Sequence, residues 1–278
     1  MSRLPPDTSE LIPAPPAAPV SQPVSAPGPA PVVNAIPALW YAPPPQHFDT
    51  HWPRWAKYLF AFAALILAYL FLDRPATLWA LSRPIVLHGG LKFEFIMLMQ
   101  YGQWFCSVLV IIAVALMDRH GRRKAIAIAL GCICTVLLTY LLKGMIGRTR
   151  PYVFKNGTWK FMGPAYGFTS AAYQSFPSAH TTGAFALSAG LAWFYPNARA
   201  LFYALALHVA FQRVLRLAHF ASDTIAGMIL AVTMVRSVLW CNLPGKFIAA
   251  LPVEWQQWIF TDNRTAADYR AAEQFHRE

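Results

Sequence analysis

The chain has 278 residues, of which 56% are hydrophobic and 13% are charged, and its net charge at pH 7 is +11. An ordinary soluble domain is excluded, because the apolar residues are gathered in nearly uncharged runs of roughly 17–23 residues, the length that spans a bilayer. The basic residues lie mainly between these runs and not along one solvated surface. This distribution argues against nucleic-acid binding and favours contact with anionic lipid or with phosphate.

The first 50 residues form a low-complexity tail that holds 14 of the 23 prolines. We predict a disordered or polyproline-like segment, which serves as a spacer or as a ligand for a proline-binding domain. The tail lacks a basic segment followed by a short apolar core, so it is not read as a signal peptide. We therefore divide the chain into a tail over 1–50, a membrane domain over 51–241 and a cytoplasmic tail over 242–278.

Apolar runs predict an all-α, polytopic membrane protein built as a bundle of six transmembrane helices. The runs cover residues 56–72, 95–117, 125–142, 177–195, 198–215 and 221–241. The sequence Asp73-Arg74-Pro75 is predicted to end the first run. The loop 118–124 is the most basic in the chain, so the positive-inside rule places it in the cytoplasm. By parity both termini are then inside, and the loops 143–177 and 213–221 share the outer face.

The first charged cluster is Lys143-x6-Arg150-Pro151, at the end of the third run. Gly147 and Pro151 are predicted to break the helix, so that Arg150 turns back from the loop. An ammonium and a guanidinium that converge on one point suit a phosphate, which accepts several hydrogen bonds at once. The alternative is a pair of ordinary basic residues that flank a membrane span.

The second cluster is Pro177-Ser178-Ala179-His180, which opens the fourth run. Ser178 is typical of a helix N-cap, and the free backbone N–H groups of a helix start favour an anion. His180 lies in the first turn and faces whatever that helix end binds. A capped helix with an incidental histidine is the alternative.

The third cluster is Arg213-x5-His219-x3-Asp223, between the last two runs. His219 and Asp223 stand at i and i+4, the spacing of neighbours on one helix face. A carboxylate bonded to one ring nitrogen fixes the tautomer and leaves the other nitrogen free to attack. Arg213 can bind a phosphate oxygen, and a purely structural His–Asp pair is the alternative.

These three motifs, in this order and at these helix ends, resemble the type 2 phosphatidic acid phosphatase family, which includes the vanadium haloperoxidases. The resemblance covers residues 56–241 and implies a phosphohistidine mechanism without a metal or other cofactor. It implies that His219 is the nucleophile, that Asp223 orients it, and that His180 protonates the leaving alkoxide and then activates water. It assigns the phosphoryl oxygens to Lys143, Arg150, Ser178 and Arg213.

Two positions depart from the family pattern: Ala179 stands where Gly is usual, and Gln212 stands where Ser usually precedes the arginine. Both departures bear on rate and substrate preference more than on reaction type. Arg148 and Arg216 are basic residues outside the motifs. They could reach a second phosphate, but contact with lipid headgroups is the favoured interpretation. The four cysteines signal neither a metal site nor a disulfide.

The resemblance implies a phosphatase for a lipid phosphate or lipid pyrophosphate, in a bacterial inner membrane with its site facing the periplasm. Phosphatidic acid, phosphatidylglycerophosphate, undecaprenyl pyrophosphate and phosphorylated lipid A are the candidate substrates. The expected partners are the lipid phosphate and membrane lipids, without nucleic acid. A lipid phosphotransferase with the same site and a non-enzymatic membrane scaffold are the alternatives. Vanadate-dependent peroxidation is disfavoured, because those relatives are soluble.

Overall fold

The structure is a computed structural model that describes residues 53–82, 95–153 and 160–260, and its regular elements are helices. Within these ranges there is no β-strand, and one isolated bridge pairs Arg148 with Phe161. The predicted all-α class is therefore confirmed for the part of the chain that the structure describes. The proline-rich tail and residues 261–278 lie outside it, so the predictions made for them stay predictions.

The first helix does not end where the sequence predicted. Helix α1 (Arg54–Leu67) continues through a π-helical turn (Ala68–Leu72) into helix α2 (Asp73–Ser82). The wide turn carries the helix up to Pro75, a residue that would otherwise leave a gap in the hydrogen-bond ladder. The prediction that Asp73 ends the span was wrong, because its carboxylate is fully buried and paired instead of reaching water.

The second predicted run is two helices that meet at a sharp bend. Helix α3 (Phe95–Gly102) and helix α4 (Trp104–Met117) are inclined by 71° to one another. Between them Gln103 has extended backbone angles, so the helical ladder breaks at that residue. The bend leaves α3 on the same side of the molecule as the charged loops, where it contacts α7 and α8.

The core forms around helix α7 (Ala179–Phe194), with α5 (Gly121–Ile146), α8 (Arg199–Leu215) and α9 (Ala221–Trp240) packed against it. Ten of the 16 residues of α7 are buried, as expected for a helix that is apolar on all sides. A short helix α6 (Pro164–Gly167) lies in the loop between α5 and α7. In contrast, α1 and α4 present exposed large apolar side chains, which suit a lipid environment.

The predicted number of six membrane spans is not confirmed. Among the described residues three helical stretches are long and apolar enough to cross a membrane: Trp55–Ser82, Gly121–Ile146 and Ala221–Trp240. The bent pair of α3 and α4 makes a fourth if it forms one span. Helices α7 and α8 are shorter, about 24–26 Å at 1.5 Å per residue. By length and composition, three or four of the described stretches are therefore candidate spans, and the six-span bundle is not confirmed.

Two short helices close the described chain, α10 (Leu243–Ala249) and α11 (Val253–Phe260). Helix α11 docks on the start of α5, where the Arg122 guanidinium donates to the Trp258 carbonyl at 2.7 Å and lies over its ring. Exposed Trp255 and Trp258 rings stack edge to face at 6.3 Å. Aromatic and basic side chains together are typical of a membrane interface. This group lies at the N-terminal end of α5, opposite the charged clusters.

Candidate active site

Backbone hydrogen bonds hold the three charged clusters together at the C-terminal end of α5. The Ser175 N–H donates to the Arg148 carbonyl at 3.0 Å, and the Ser178 N–H donates to the Asp223 carbonyl at 3.0 Å. The Tyr152 N–H donates to the Leu217 carbonyl at 3.2 Å. Each loop is thereby attached to the other two, so the structure brings together the clusters that parity alone placed on one face.

Local sequence explains the shape of the loop that leaves α5. The helix ends at Ile146, and Gly147 follows in the left-handed conformation with φ 61°, which closes the last turn through its N–H to the Lys143 carbonyl. Glycine suits this position because the conformation costs it nothing, and a side chain would meet the Gly163 carbonyl at 2.4 Å. The helix break that was predicted at Gly147 is confirmed, and it turns Arg148 and Arg150 back toward the bundle.

His219 lies in the turn before α9 and is 2% exposed. Its Nδ1 atom is 2.7 Å from the Ser175 carbonyl and 3.7 Å from the nearer Asp223 oxygen. A carbonyl only accepts, so Nδ1 carries the proton in this contact and the lone pair is left on Nε2. The predicted direct hydrogen bond to Asp223 is therefore wrong in this structure, because His219 precedes the helix and helical i, i+4 geometry does not apply to it.

Asp223 is fully buried and has three other hydrogen-bond donors. The Arg148 Nη1 and the Ser175 Oγ each donate to it at 2.5 Å, and the Phe220 N–H donates at 2.9 Å. Ser175 thus donates its hydroxyl to the carboxylate and offers its carbonyl to His219. The histidine and the aspartate lie within 3.7 Å of each other, and one serine also links them.

Arg148 is 1% exposed, so the interpretation of this residue as a lipid-headgroup contact was wrong. Its guanidinium bridges two buried carboxylates: Nη1 bonds Asp223, and Nη2 donates to Asp73 at 2.7 Å. Three aromatic rings surround the guanidinium carbon at 4.2–5.5 Å, those of Tyr69, Phe161 and Phe220. A buried cation of this kind is tolerated when it is paired and hydrogen-bonded, as it is here.

The three basic residues among the four predicted phosphate ligands each use part of their hydrogen-bonding capacity within the protein. Lys143 Nζ donates to the Gln174 carbonyl at 2.5 Å, and Arg150 Nε donates to the Ala171 carbonyl at 2.8 Å. Arg213 Nη1 contacts the Met99 sulfur at 3.2 Å, and its buried Nε has no partner among the described residues. The remaining donors of these cations are those that an anion would take up, so the residues present fit a phosphate.

Helix α7 begins beside these cations. Ser178 is the N-cap residue and is fully buried, but its hydroxyl makes no capping bond and instead accepts from Thr181 Oγ1 at 3.1 Å. The predicted side-chain cap is therefore absent. His180 follows in the first turn and is half-buried. The cations whose charges reach its imidazole are Arg213, Arg150, Lys143 and Arg216.

Gln212, the position that departs from the family pattern, anchors α3. It is fully buried, and its Nε2 donates to the Phe95 carbonyl. The His208 ring packs edge to face on the Phe95 ring, with its Nε2 3.3 Å from the same carbonyl. Gly102, at the other end of α3, comes so close to the His180 carbonyl that a Cβ would lie 2.7 Å from it. Helix α3 is therefore a wall of the site that the motifs did not reveal.

Burial lowers the pKa of His219 to about 3, and the charges of Lys143 and Arg150 act in the same direction. The Asp223 carboxylate acts in the opposite direction without outweighing burial. The imidazole is consequently neutral at pH 7, which is the form that can act as a nucleophile.

In the described part of the chain no group of three or more His, Cys, Asp or Glu side chains is arranged to hold a metal ion.

A cavity of about 390 Å³ lies next to the buried ion pairs. Arg148 and Ser222 form its polar margin. Its other walls are apolar or aromatic side chains of the first helix, the end of α5 and the following loops: Leu65, Ile66, Tyr69, Ile146, Phe161 and Phe176. The cavity adjoins the site and is far larger than a water molecule.

Sequence reasoning missed Asp73 and Ser175 and misread Arg148. A signal existed for Asp73, because an acidic residue within a long apolar helix indicates a functional or paired residue. Ser175 carried no comparable signal, since a serine in a polar loop is common. Arg148 stands between two residues of the first motif, but its partners are 75 residues away in either direction.

Known proteins resemble part of this chain. Residues 124–244 match the family model of the PAP2 superfamily. A protein from Rhizobium etli named Lipid A 1-phosphatase is 43% identical over 93 residues, which are 33% of this chain and 39% of that protein. One of the same name from Rhizobium johnstonii is 40% identical over 92 residues, 33% of this chain and 37% of that protein. The matched segments thus span less than two-fifths of either relative.

Among solved structures, the crystal structure of Aquifex aeolicus LpxE aligns with a TM-score of 0.41 and 17% identity, over 58% of this chain and 93% of that chain. The family resemblance predicted from the three motifs is confirmed by the family model. The matched segment contains every motif residue from Lys143 to Asp223, whereas Asp73 lies outside it.

Proposed function

Because residues 124–244 match the family model of the PAP2 superfamily, we propose that the chain is a membrane phosphatase that hydrolyses a lipid phosphate or lipid pyrophosphate through a phosphohistidine on His219. The observation that carries the proposal is the Nδ1–H of His219 donating to the Ser175 carbonyl at 2.7 Å. This bond leaves the Nε2 lone pair free in a site with three cations, Lys143, Arg150 and Arg213.

In the first step Nε2 of His219 attacks phosphorus and the bond from phosphorus to the lipid oxygen breaks. Burial and the nearby cations lower the pKa of His180, and the negative charge of the bound phosphate offsets those cations. In its protonated form His180 then gives its proton to the departing oxygen, so the lipid leaves as an alcohol, or as a monophosphate from a pyrophosphate. The imidazole carries positive charge in the phosphohistidine, and the Ser175 carbonyl and the nearby Asp223 carboxylate stabilise it.

In the second step His180 takes a proton from water, the oxygen attacks phosphorus and the N–P bond breaks. Its electron pair returns to Nε2, and inorganic phosphate leaves. Lys143, Arg150, Arg213 and the polar groups at the start of α7 hold the phosphoryl oxygens throughout, which matches the spread of negative charge in such a transition state.

A lipid substrate fits the surroundings of the site. The exposed apolar faces of α1 and α4 suit a bilayer, and both relatives are named for action on lipid A. Phosphorylated lipid A is accordingly the first substrate to test, followed by phosphatidic acid, phosphatidylglycerophosphate and undecaprenyl pyrophosphate. Arg216, which is exposed beside His180, is the candidate for contact with a second phosphate or with a headgroup.

We place the protein in a bacterial inner membrane with this site toward the periplasm. The basic loop before α5 and the site at its other end are separated by a helix of 26 residues, about 39 Å at 1.5 Å per residue. The positive-inside rule then assigns the loop to the cytoplasm and the site to the outer face. A tag on either terminus that is accessible from the periplasm would contradict this orientation.

The test is phosphate release by the purified full chain in detergent, against the four lipid phosphates, with EDTA present. We expect the wild-type chain to release inorganic phosphate and His219→Ala to release none while still inserting into membranes. Near-normal turnover by that variant would refute the phosphohistidine mechanism, and loss of wild-type activity in EDTA would refute a metal-free site. Phosphorylated lipid product in place of inorganic phosphate would indicate the phosphotransferase, and inactivity on every lipid would favour the scaffold.

A further inference from the structure

Asp73 is a buried carboxylate on the first helix whose hydrogen bonds all lead to the active-site loops. It is fully buried on α2, a helix that otherwise buries little more than Thr77 and Ala80. Its Oδ1 accepts the Ser222 N–H at 2.8 Å, and its Oδ2 accepts the Ser222 hydroxyl at 2.6 Å and the Arg148 Nη2 at 2.7 Å. These contacts join the first helix to the start of α9, one residue before Asp223.

Arg148 divides a single positive charge between two carboxylates. Its two terminal nitrogens bond Asp73 and Asp223 separately, and Nη1 also donates to the Ser222 hydroxyl at 2.7 Å. Because Asp73 takes part of that charge, Asp223 is not fully neutralised by the guanidinium. It retains negative potential 3.7 Å from the His219 ring.

We propose that Asp73 is a positioning residue for the reaction on His219: through Arg148 and Ser222 it sets the orientation and the residual charge of Asp223. This inference rests on the proposed phosphatase function. Without the Asp73 charge, the whole Arg148 charge falls on Asp223, and the imidazolium that forms during phosphoryl transfer loses part of its stabilisation. Binding of the lipid phosphate depends on Lys143, Arg150 and Arg213, so it changes little.

The simpler account is that Asp73 only attaches a lipid-facing helix to the bundle. The two accounts differ in what a neutral isostere does. An attachment residue affects folding and leaves the chemistry of the folded enzyme unchanged. A positioning residue lowers kcat at nearly constant KM, and it does so only while Asp223 is present to transmit the effect.

The experiment compares Asp73→Asn with Asp118→Asn in the purified full chain. Asp118 is a matched control, because it too accepts three hydrogen bonds, from the His120 N–H, Lys124 and Tyr195, but lies at the opposite end of α5. For Asp73→Asn we expect kcat to fall on the order of tenfold with KM within about twofold, as for outer partners that orient a reacting group. Asp118→Asn is expected to keep wild-type kcat.

The same substitution in an Asp223→Asn background isolates the route. We expect Asp73→Asn to change kcat there by less than about twofold, because the residue it acts through is already neutral. A wild-type kcat in the single variant, or an equal loss in both backgrounds, overturns the proposal. Should Asp73→Asn not fold, Asp73→Glu keeps the ion pair but displaces the carboxylate, and a wild-type kcat in that variant also overturns it.

Failure of the proposed function itself would be visible in the wild-type chain, as no phosphate release from any lipid. The role of Asp73 is then decided by the binding of orthovanadate, a phosphate mimic that can bond to a histidine nitrogen. We expect Asp73→Asn to weaken vanadate binding severalfold relative to wild type and to Asp118→Asn. Equal affinity in all three chains would overturn the inference whether or not the wild type is a phosphatase.

Discussion

The Nδ1 atom of His219 lies 2.7 Å from the backbone carbonyl oxygen of Ser175. The same serine donates its hydroxyl to Asp223 at 2.5 Å. Ser175, in the loop before α7, therefore contacts both members of the His–Asp pair: His219 through its backbone and Asp223 through its side chain. The tautomer of His219 is set by a backbone carbonyl. A substitution of Asp223 would therefore leave the hydrogen bond that orients the imidazole ring in place.

Replacing Ser175 by alanine separates these two roles. The carbonyl remains and keeps the His219 tautomer, whereas the hydroxyl bond to Asp223 is lost. We expect kcat for phosphate release to fall about tenfold, near the lower range for one hydrogen bond to a charged group, with KM nearly unchanged. Ser170→Ala is the control, because that hydroxyl accepts the Ala172 N–H in the same loop. Unchanged kcat in Ser175→Ala would show that the hydroxyl contributes nothing to the reaction.

Arg213 and Arg216 are neighbouring arginines with different expected contributions. Arg213 is buried with an unpartnered Nε among the described residues, whereas Arg216 is exposed. We expect Arg213→Ala to lower kcat/KM on the order of 10²-fold, as when one preorganised donor to a developing charge is removed. Arg216→Ala is expected to change it by a few-fold at most on a monophosphate lipid. Equal losses in the two variants would contradict the assignment of Arg213 to the phosphate.

Close packing between α7 and α9 makes Gly227 intolerant of a side chain. A Cβ there would lie 2.7 Å from Thr182 Oγ1 and 3.0 Å from the Ser178 carbonyl. We expect Gly227→Ala to lower the free energy of unfolding by about 1–3 kcal/mol, measured by thermal denaturation in detergent. Gly131→Ala is the matched helical control, since its nearest neighbour is a Val235 methyl at 3.3 Å, which can move. Equal stability of the two variants would contradict the close approach.

Acid should destabilise the fold through His219. Its pKa is about 3 in the folded chain against 6.5 for an unperturbed histidine. Between these values the unfolded chain binds more protons, so the stability contributed by the neutral ring is complete above pH 6.5 and is lost as the pH falls toward 3. We expect His219→Asn to show a shallower fall in melting temperature over that window. Parallel pH profiles would show that the ring is not buried in its neutral form.

Apolar runs and helix breakers predicted much of the fold. The helix ends at Gly147 and at Pro177-Ser178 follow from backbone preferences that act locally, and they lie where the sequence put them. The sequence Asp73-Arg74-Pro75 predicted the end of the first helix, whereas the helix continues to Ser82. Burial of the Asp73 charge depends on Arg148, 75 residues away, and no local pattern contains such a partner.

The predicted site residues lie near one another, but several of their predicted contacts differ in the structure. Lys143, Arg150, Arg213, His180 and His219 do converge, because loops on one face of a bundle must meet. Helical spacing predicted a direct bond between His219 and Asp223; the two side chains do approach, but only to 3.7 Å, because His219 precedes α9. The six predicted spans are not confirmed, because hydropathy ignores the bend at Gln103 and the shortness of α7 and α8.

The pairing of Asp73 with Arg148 limits how this chain could be recombined with its relatives. The segment that matches the PAP2 family begins at residue 124, so it carries the guanidinium but leaves one of its two counter-charges behind. A chimera that exchanges only that segment with a relative lacking the aspartate would bury a cation short of a partner, at a cost of about 3–5 kcal/mol. Functional grafts between such proteins should therefore be cut before the first helix.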